Sequence, residues 1–218
     1  MYDKAFITGC DSNTEWMLPW FVKHYMKHNN TPLLFADFGV SPEMRTWVDI
    51  SGIAEVVNVN KQNTNGWFLK PQCMINSPSK YTCWVDTDIH ILGDMSGVFD
   101  SVVAEKLSMV EDKPWSKRRK QIWHNSGVVA FKNKPKILLD WEVQCRLNAK
   151  VGDQEILHEM VGQGIDRLRL IENLNNKYNW LRIQLLDGQN NPDKIAMHWT
   201  GYKGKLEIQK LMYNEKSG

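Results

Sequence analysis

Along the first third of the chain, short blocks of contiguous apolar residues alternate with longer stretches where apolar positions return every three or four residues. The first pattern belongs to buried strands and the second to amphipathic helices. Lys4 to Gly9 reads as a strand. Ser12 or Asn13 caps a helix reaching about His28, with Met17, Phe21 and Tyr25 along one face and Pro19 marking an irregular start. Pro32 to Phe38 is a second strand, and Ser41-Pro42-Glu43 opens a second helix with a cap, a proline at its first position and an acid in its first turn. Glu55 to Val59 and Trp67 to Asn76 continue the alternation with a strand and a helix, and the apolar run from Tyr81 to Val85 closes it. Further on, Gly93 to Asp100 reads as a turn and short helix, Lys106 to Glu111 as a strand, and Asp112 to Gln121 as a polar, basic loop. His124 to Lys132 is a strand, Pro135 to Asn148 a helix and Asp153 to Met160 a shorter helix. Arg167 to Ile171 and Lys194 to Trp199 read as short strands. Strand and helix in alternation imply βαβ units, hence an α/β fold with a mixed, mainly parallel sheet and helices on both faces. We expect a single domain over residues 1–205, followed by a charged, loosely packed tail over 206–218.

Composition narrows the partners. With 218 residues the chain fits one sizeable core. A net charge of +2 gives no global argument for nucleic acid, and no apolar run reaches the length of roughly 20 residues that spans a bilayer. The N-terminus has no basic region followed by an apolar stretch. Cys10, Cys73, Cys83 and Cys145 are far apart and form no CxxC pair, so free thiols in a reducing cytoplasm are the expectation. Ten tryptophans are an excess, and most are expected to fill core. One or two of Trp67, Trp115, Trp123, Trp180 and Trp199 are candidates for ligand contact.

The candidate chemistry starts at Trp84-Val85-Asp86-Thr87-Asp88, where a buried strand ends in two carboxylates. If the backbone stays extended, Asp86 and Asp88 share a face. Like charges side by side are costly unless a cation lies between them, and hard oxygen ligands suit Mg²⁺ or Mn²⁺. The plain alternative is an acidic turn after a core strand.

In order along the chain, Trp84-Val85-Asp86-Thr87-Asp88, Asn125-Ser126-Gly127-Val128-Val129, Asp153-Gln154-Glu155-Ile156-Leu157 and His198-Trp199-Thr200-Gly201 resemble the DxD strand, NSG strand, DQ helix and C-terminal histidine motif of glycosyltransferase family 8. This is a group of metal-dependent, nucleotide-sugar-using enzymes of the GT-A fold. The resemblance spans about residues 4 to 204. It implies a hexosyltransferase moving glucose or galactose from a UDP-sugar to a hydroxyl with retention, using Mn²⁺ (or Mg²⁺) held by Asp86, Asp88 and His198. By the same likeness Thr8, Cys10, Asp11, Lys70, Asp86, Thr87, Asn125, Ser126, Gly201 and Lys203 would bind the donor. Asp153 would orient sugar hydroxyls, and Gln154 would sit near the anomeric carbon in a positioning role.

Each position also has a plainer reading. His198 beside a tryptophan can be structural, Asp11 and Asp153 can cap helices, Lys70 can snorkel over core, and Asn125-Ser126-Gly127 can be a turn. The family ending has a lysine three residues after the glycine. Here that position is Gly204, flanked by Lys203 and Lys205. The chain is shorter than many members, which leaves the acceptor hydroxyl open among glycan, lipid and protein. The run Lys117-Arg118-Arg119-Lys120 between Trp115 and Trp123 reads as a mobile lid, an acceptor contact, a nucleic-acid patch or a solvated loop. Two other functions stay open: a nucleotidyltransferase, although Gly9 to Asn13 lacks that class's glycine-rich basic loop, and a non-catalytic nucleotide-sugar binder.

Overall fold

The computed structural model describes residues 1–60, 66–148 and 150–217. In chain order the elements are β1 (Tyr2–Cys10), α1 (Leu18–His28), β2 (Leu33–Asp37), α2 (Pro42–Ile50), β3 (Glu55–Val57), α3 (Gly66–Asn76), β4 (Ser79–Val85), β5 (Ile89–Ile91), β6 (Leu107–Glu111), α4 (Lys113–Arg119) and β7 (His124–Lys132). Then come α5 (Lys136–Leu147), α6 (Asp153–Val161), α7 (Gly164–Leu170), β8 (Ile171–Asn173), β9 (Trp180–Leu181), α8 (Arg182–Leu186), β10 (Ala196–His198) and α9 (Gly201–Ser217). Seven strands form a mixed sheet in the order β3-β2-β1-β4-β7-β6-β8, and β5-β10-β9 make a small second sheet. Within the large sheet, β7 runs antiparallel to both β4 and β6, and the remaining pairs are parallel.

Both faces of the large sheet are covered, which is why runs such as 5–7, 33–36 and 128–131 are apolar and buried at successive positions rather than at alternate ones. Phe6, Phe35, Cys83 and Val85 face a layer that includes Leu18, Phe21 and Tyr25 of α1. Ile7, Leu34, Trp84 and Phe131 face Phe68 and Cys73 of α3 and Leu138 and Trp141 of α5. All four cysteines are free and buried. No helix among the described residues is long and apolar enough to cross a membrane.

Three segments differ from the sequence expectation. Residues 113–119 form a helix instead of a loop: Asp112 caps it by accepting from Trp115 N at 3.1 Å, and Lys117, Arg118 and Arg119 complement its C-terminal dipole. Residues 167–170 belong to α7, with the strand beginning only at Ile171, because Gly162 and Gly164 at φ +61° and +60° turn the chain into a new helix. Residues 206–217 continue α9 as a helix, which seats the fully buried Ile208 against Met17 and Trp20. Residue 218 of the expected tail lies outside the described residues.

Glycine within a helix usually costs about 1 kcal/mol relative to alanine. At Gly204 of α9 the balance reverses, because an added methyl group would land on the Trp199 carbonyl, and backbone cannot swing aside. Gly204→Ala is therefore expected to destabilise the protein by about 2 kcal/mol, a large-for-small clash outweighing propensity. A rise in urea midpoint would contradict this packing.

Arg167 ties α7 to the start of β7. Its Nε donates to the Gly162 carbonyl at 2.9 Å, Nη1 to His124 Nδ1 at 2.9 Å and Nη2 to His158 Nδ1 at 2.9 Å. Both imidazoles must then be neutral with the proton on Nε2, which points at Asn173 Oδ1 from His124 and at Gln121 Oε1 from His158. Burial and then the Arg167 charge hold His158 down to about 4, and burial is also the main force depressing His124. An unfolded histidine takes up its proton near pH 6.5, so from there down to about pH 4 the unfolded chain binds more protons than the folded one. Stability is full above that window and lost as pH falls through it. The urea midpoint should drop between pH 6.5 and 4, and His158→Gln should make the drop shallower.

Candidate functional site

The end of β4 is followed by a tight turn, so Asp86 and Asp88 leave the strand before their side chains appear. Their shared orientation comes from this turn and not from strand alternation. Asp86 N donates to the Gly127 carbonyl at 2.9 Å, and Trp199 N to the Asp88 carbonyl at 3.0 Å, so the turn is held between β7 and the segment after β10. His198 is brought to the same spot by antiparallel pairing with Ile89. One ligand atom from each of Asp86, Asp88 and His198 lies within 4.8 Å of the others. His198 Nε2 stands 3.1 Å from Asp88 Oδ1 and 3.9 Å from Asp86 Oδ2.

Charges around the turn are unequal in their surroundings. Burial is the largest influence on Asp86 and, with Asp88 and Asp153 adding to it, raises its carboxyl despite Lys70 and His198. For Asp88 burial also pushes upward, but His198, Lys205 and Lys70 together hold the carboxyl below its ordinary value. Burial lowers His198, and Asp88 and Asp86 more than reverse this, so the imidazole is favoured in its protonated form. The proton on Nε2 thus lies where a cation shared with both carboxylates would lie.

Lys70, only 3% exposed, sits in α3 with its ammonium 3.1 Å from Asp86 Oδ1, 3.1 Å from Asp153 Oδ2 and 3.2 Å from the Ser126 carbonyl. It is a buried ion at a junction of two carboxylates and does not snorkel. Burial would lower its pKa, yet Asp153 and Asp86 raise it, so it stays charged. Trp84 Nε1 also donates to Asp86 Oδ1, at 2.6 Å, which leaves Oδ2 turned toward His198.

Behind the cluster runs a polar relay. His198 Nδ1 donates to Asn179 Oδ1 at 2.9 Å, and Asn179 Nδ2 donates to Asn125 Oδ1 at 2.8 Å. Asn125 Nδ2 donates to Gln154 Oε1 at 3.1 Å and Asp112 Oδ2 at 3.3 Å, and Gln154 Nε2 also reaches Asp112 Oδ2, at 3.2 Å. This fixes the imidazole so that Nε2 faces the carboxylates. The ladder between β6 and β7 jumps from Met109↔Val129 to Val110↔Asn125, so Ser126, Gly127 and Val128 form a bulge relative to β6, and the Gly127 carbonyl meets the Asp86 turn. A side chain at Gly127 would collide with the His198 ring, so that glycine makes room for the histidine.

A cavity of about 460 Å³ opens over the turn, within the size range of small-ligand sites. Cys10, Asp11, Lys70, Asp86, Thr87 and Asp88 line it, as do Asn125, Ser126, Asp153 and Gln154. Asp11 also caps the following turn, its Oδ1 accepting from Thr14 N and Thr14 Oγ1 at 3.1 and 2.8 Å. Thr8 lies behind the wall, fully buried. Gly201 and Lys203 are exposed and outside the lining, whereas Lys205, one position beyond Gly204, lines it. The Trp199 carbonyl leaves no space for a side chain at 204, so the lysine of this ending arrives from 205. Of the candidate tryptophans, Trp67 and Trp115 reach the cavity. Trp115 stacks on Trp123, itself stacked at 3.5 Å on His158, with Arg118 and Arg119 over its ring. Sequence reasoning missed Asp112 and Asn179. Asp112 carries the same signal as Asp86, a carboxylate just past a buried strand; nothing local marks Asn179.

No protein-family model matches this sequence, and no curated protein is similar to it at the sequence level. Solved structures are similar in fold. A complex of the galactosyltransferase LgtC with donor and acceptor sugar analogs is 14% identical with a TM-score of 0.65, over 95% of this chain and 94% of that one. The glycosyltransferase GlyE of Streptococcus pneumoniae is 16% identical with a TM-score of 0.66, over 91% of this chain and 55% of that one. Mouse xyloside xylosyltransferase 1 is 11% identical with a TM-score of 0.58, over 90% of this chain and 97% of that one. At these identities what is shared is architecture, and the chain accordingly has the GT-A fold of these glycosyltransferases.

Proposed function

We propose that the protein is a metal-dependent glycosyltransferase that moves a hexose from a UDP-sugar to a hydroxyl acceptor with retention. The observation carrying this is the Asp86-Asp88-His198 cluster, whose two carboxylates line a cavity, in a fold shared with LgtC. Two carboxylates and one imidazole suit Mn²⁺ somewhat better than Mg²⁺. When bound, such a cation neutralises the charge that collects on a leaving diphosphate.

The chain's own residues account for the rest. Lys205 on the cavity wall adds a positive charge for phosphate oxygens. Lys70 orients Asp86 and Asp153 by pairing with both. Asp153 then presents a fixed carboxylate to sugar hydroxyls. Gln154, with its amide committed to Asn125, Ser126 and Asp112, holds the floor of the sugar subsite rigid, which is a positioning role. The four buried thiols fit work in the cytoplasm.

A screen of nucleotide-sugars, with and without Mn²⁺ and with simple glycosides as acceptors, tests class, donor and cation together. Release of UDP from one UDP-hexose, at least tenfold faster with Mn²⁺, is the expected outcome. Release of pyrophosphate from a nucleoside triphosphate and a sugar phosphate would instead favour a nucleotidyltransferase. Saturable UDP binding without turnover would favour a binder.

A further inference from the structure

A second cluster of ligating side chains lies away from the cavity, where α9 crosses α1 and β5. His24 of α1, His90 of β5 and Glu215 of α9 each offer an atom within 4.8 Å of the others. His24 Nε2 is 2.9 Å from Glu215 Oε1, and the His24 and His90 rings meet edge to face with centroids 4.3 Å apart. Among the described residues His90 has no hydrogen-bond partner for its ring nitrogens, although the ring is partly buried. With neither ring nitrogen committed to a protein group, the imidazole is free to offer a lone pair to an ion on its open side.

The surroundings are those of a built site. Trp20 packs on both rings, with centroids 5.1 Å from His24 and 4.9 Å from His90, and donates through Nε1 to Glu215 Oε1 at 3.2 Å. Lys23 Nζ takes the other carboxylate oxygen at 2.6 Å, the place of an outer-shell partner that orients a ligand. Beneath them Met17, Trp20 and Ile208 form an apolar floor. The fourth side opens to solvent, where Glu215 is exposed.

We propose that His24, His90 and Glu215 bind a zinc-class transition metal ion, distinct from the cation of the cavity, with water completing the coordination. Two imidazoles and one carboxylate with one open position are a ligand set that zinc accepts in tetrahedral geometry. The ion would clamp α9 to α1 and to the strand that continues from the Asp86–Asp88 turn, and so steady the helix that brings Lys205 to the cavity wall.

The test uses Co²⁺ as a visible reporter on metal-free Asp88→Asn protein, in which the cavity cluster has lost a ligand. One equivalent should bind with the visible absorption of tetrahedral Co²⁺, be displaced by Zn²⁺, and raise the thermal midpoint. Adding His90→Gln or Glu215→Gln to that background should weaken binding by about 100-fold or more, an effect larger than the loss of an outer-shell partner. Glu215→Gln keeps an acceptor for Trp20 near the end of α9, and its circular dichroism in EDTA reports whether the fold is retained. Absence of stoichiometric Co²⁺ uptake would overturn the proposal, as would uptake unchanged by both second substitutions.

Discussion

Asp88→Ala should release UDP from its donor about 10³-fold more slowly than the parent chain at saturating Mn²⁺, the scale on which removal of one charge-stabilising element acts. The loss belongs to kcat, because the cation's contribution is greatest when charge reaches the leaving group. Stability should tell a different story. Asp88 lies in a turn whose backbone is held by Trp199, and that bond survives the substitution. The folded state should therefore persist, while the rise in thermal midpoint on adding Mn²⁺ disappears. In the parent chain that rise should be about 5–10 °C at a cation concentration 100 times the dissociation constant. A variant that turned over donor at the parent rate would sink the cation assignment.

Lys70→Met is expected to cost about 3–5 kcal/mol of folding stability, seen as a fall in the urea midpoint. Methionine fills nearly the same space, so the loss is electrostatic. Asp86 and Asp153 each lose an ammonium at 3.1 Å, and Asp153 is left buried without it. Combining the change with Asp153→Asn removes one stranded carboxylate and should recover about half of the loss. Such coupling is expected only of residues that share one network. Had the lysine merely covered core with its stem, the single substitution would cost less than about 1 kcal/mol and the double would add nothing.

The parts of the fold most legible in the sequence were those fixed by local chemistry. β7 spans His124–Lys132, the bounds read from the sequence around its apolar run at 128–131, and Ser41 caps α2 by accepting from Met44 N at 3.2 Å. α4 was not legible because it buries no side chain, Trp115 is its one large apolar residue, and its cap, Asp112, is shared with the relay. α9 escaped because its charged residues hide a single deeply seated side chain, Ile208, whose burial is decided by α1. In the site, the Asp86–Asp88 pair announced itself through a buried strand ending in acid. His198 came from the order of motifs, since only the pairing of β10 with β5 brings it near. Asn179 was beyond reach, since it depends on contacts with the distant His198 and Asn125, and the choice of Lys205 over Lys203 depends on a helix that cannot tolerate bulk at 204.

The relay from His198 through Asn179 and Asn125 to Asp112 has a direction, each amide giving with nitrogen and taking with oxygen. Exchanging any one of its amides for a carboxylate would set two acceptors face to face and disturb its neighbours in turn. Among descendants of this chain that keep the histidine, these positions should drift together as a block, or stay put together.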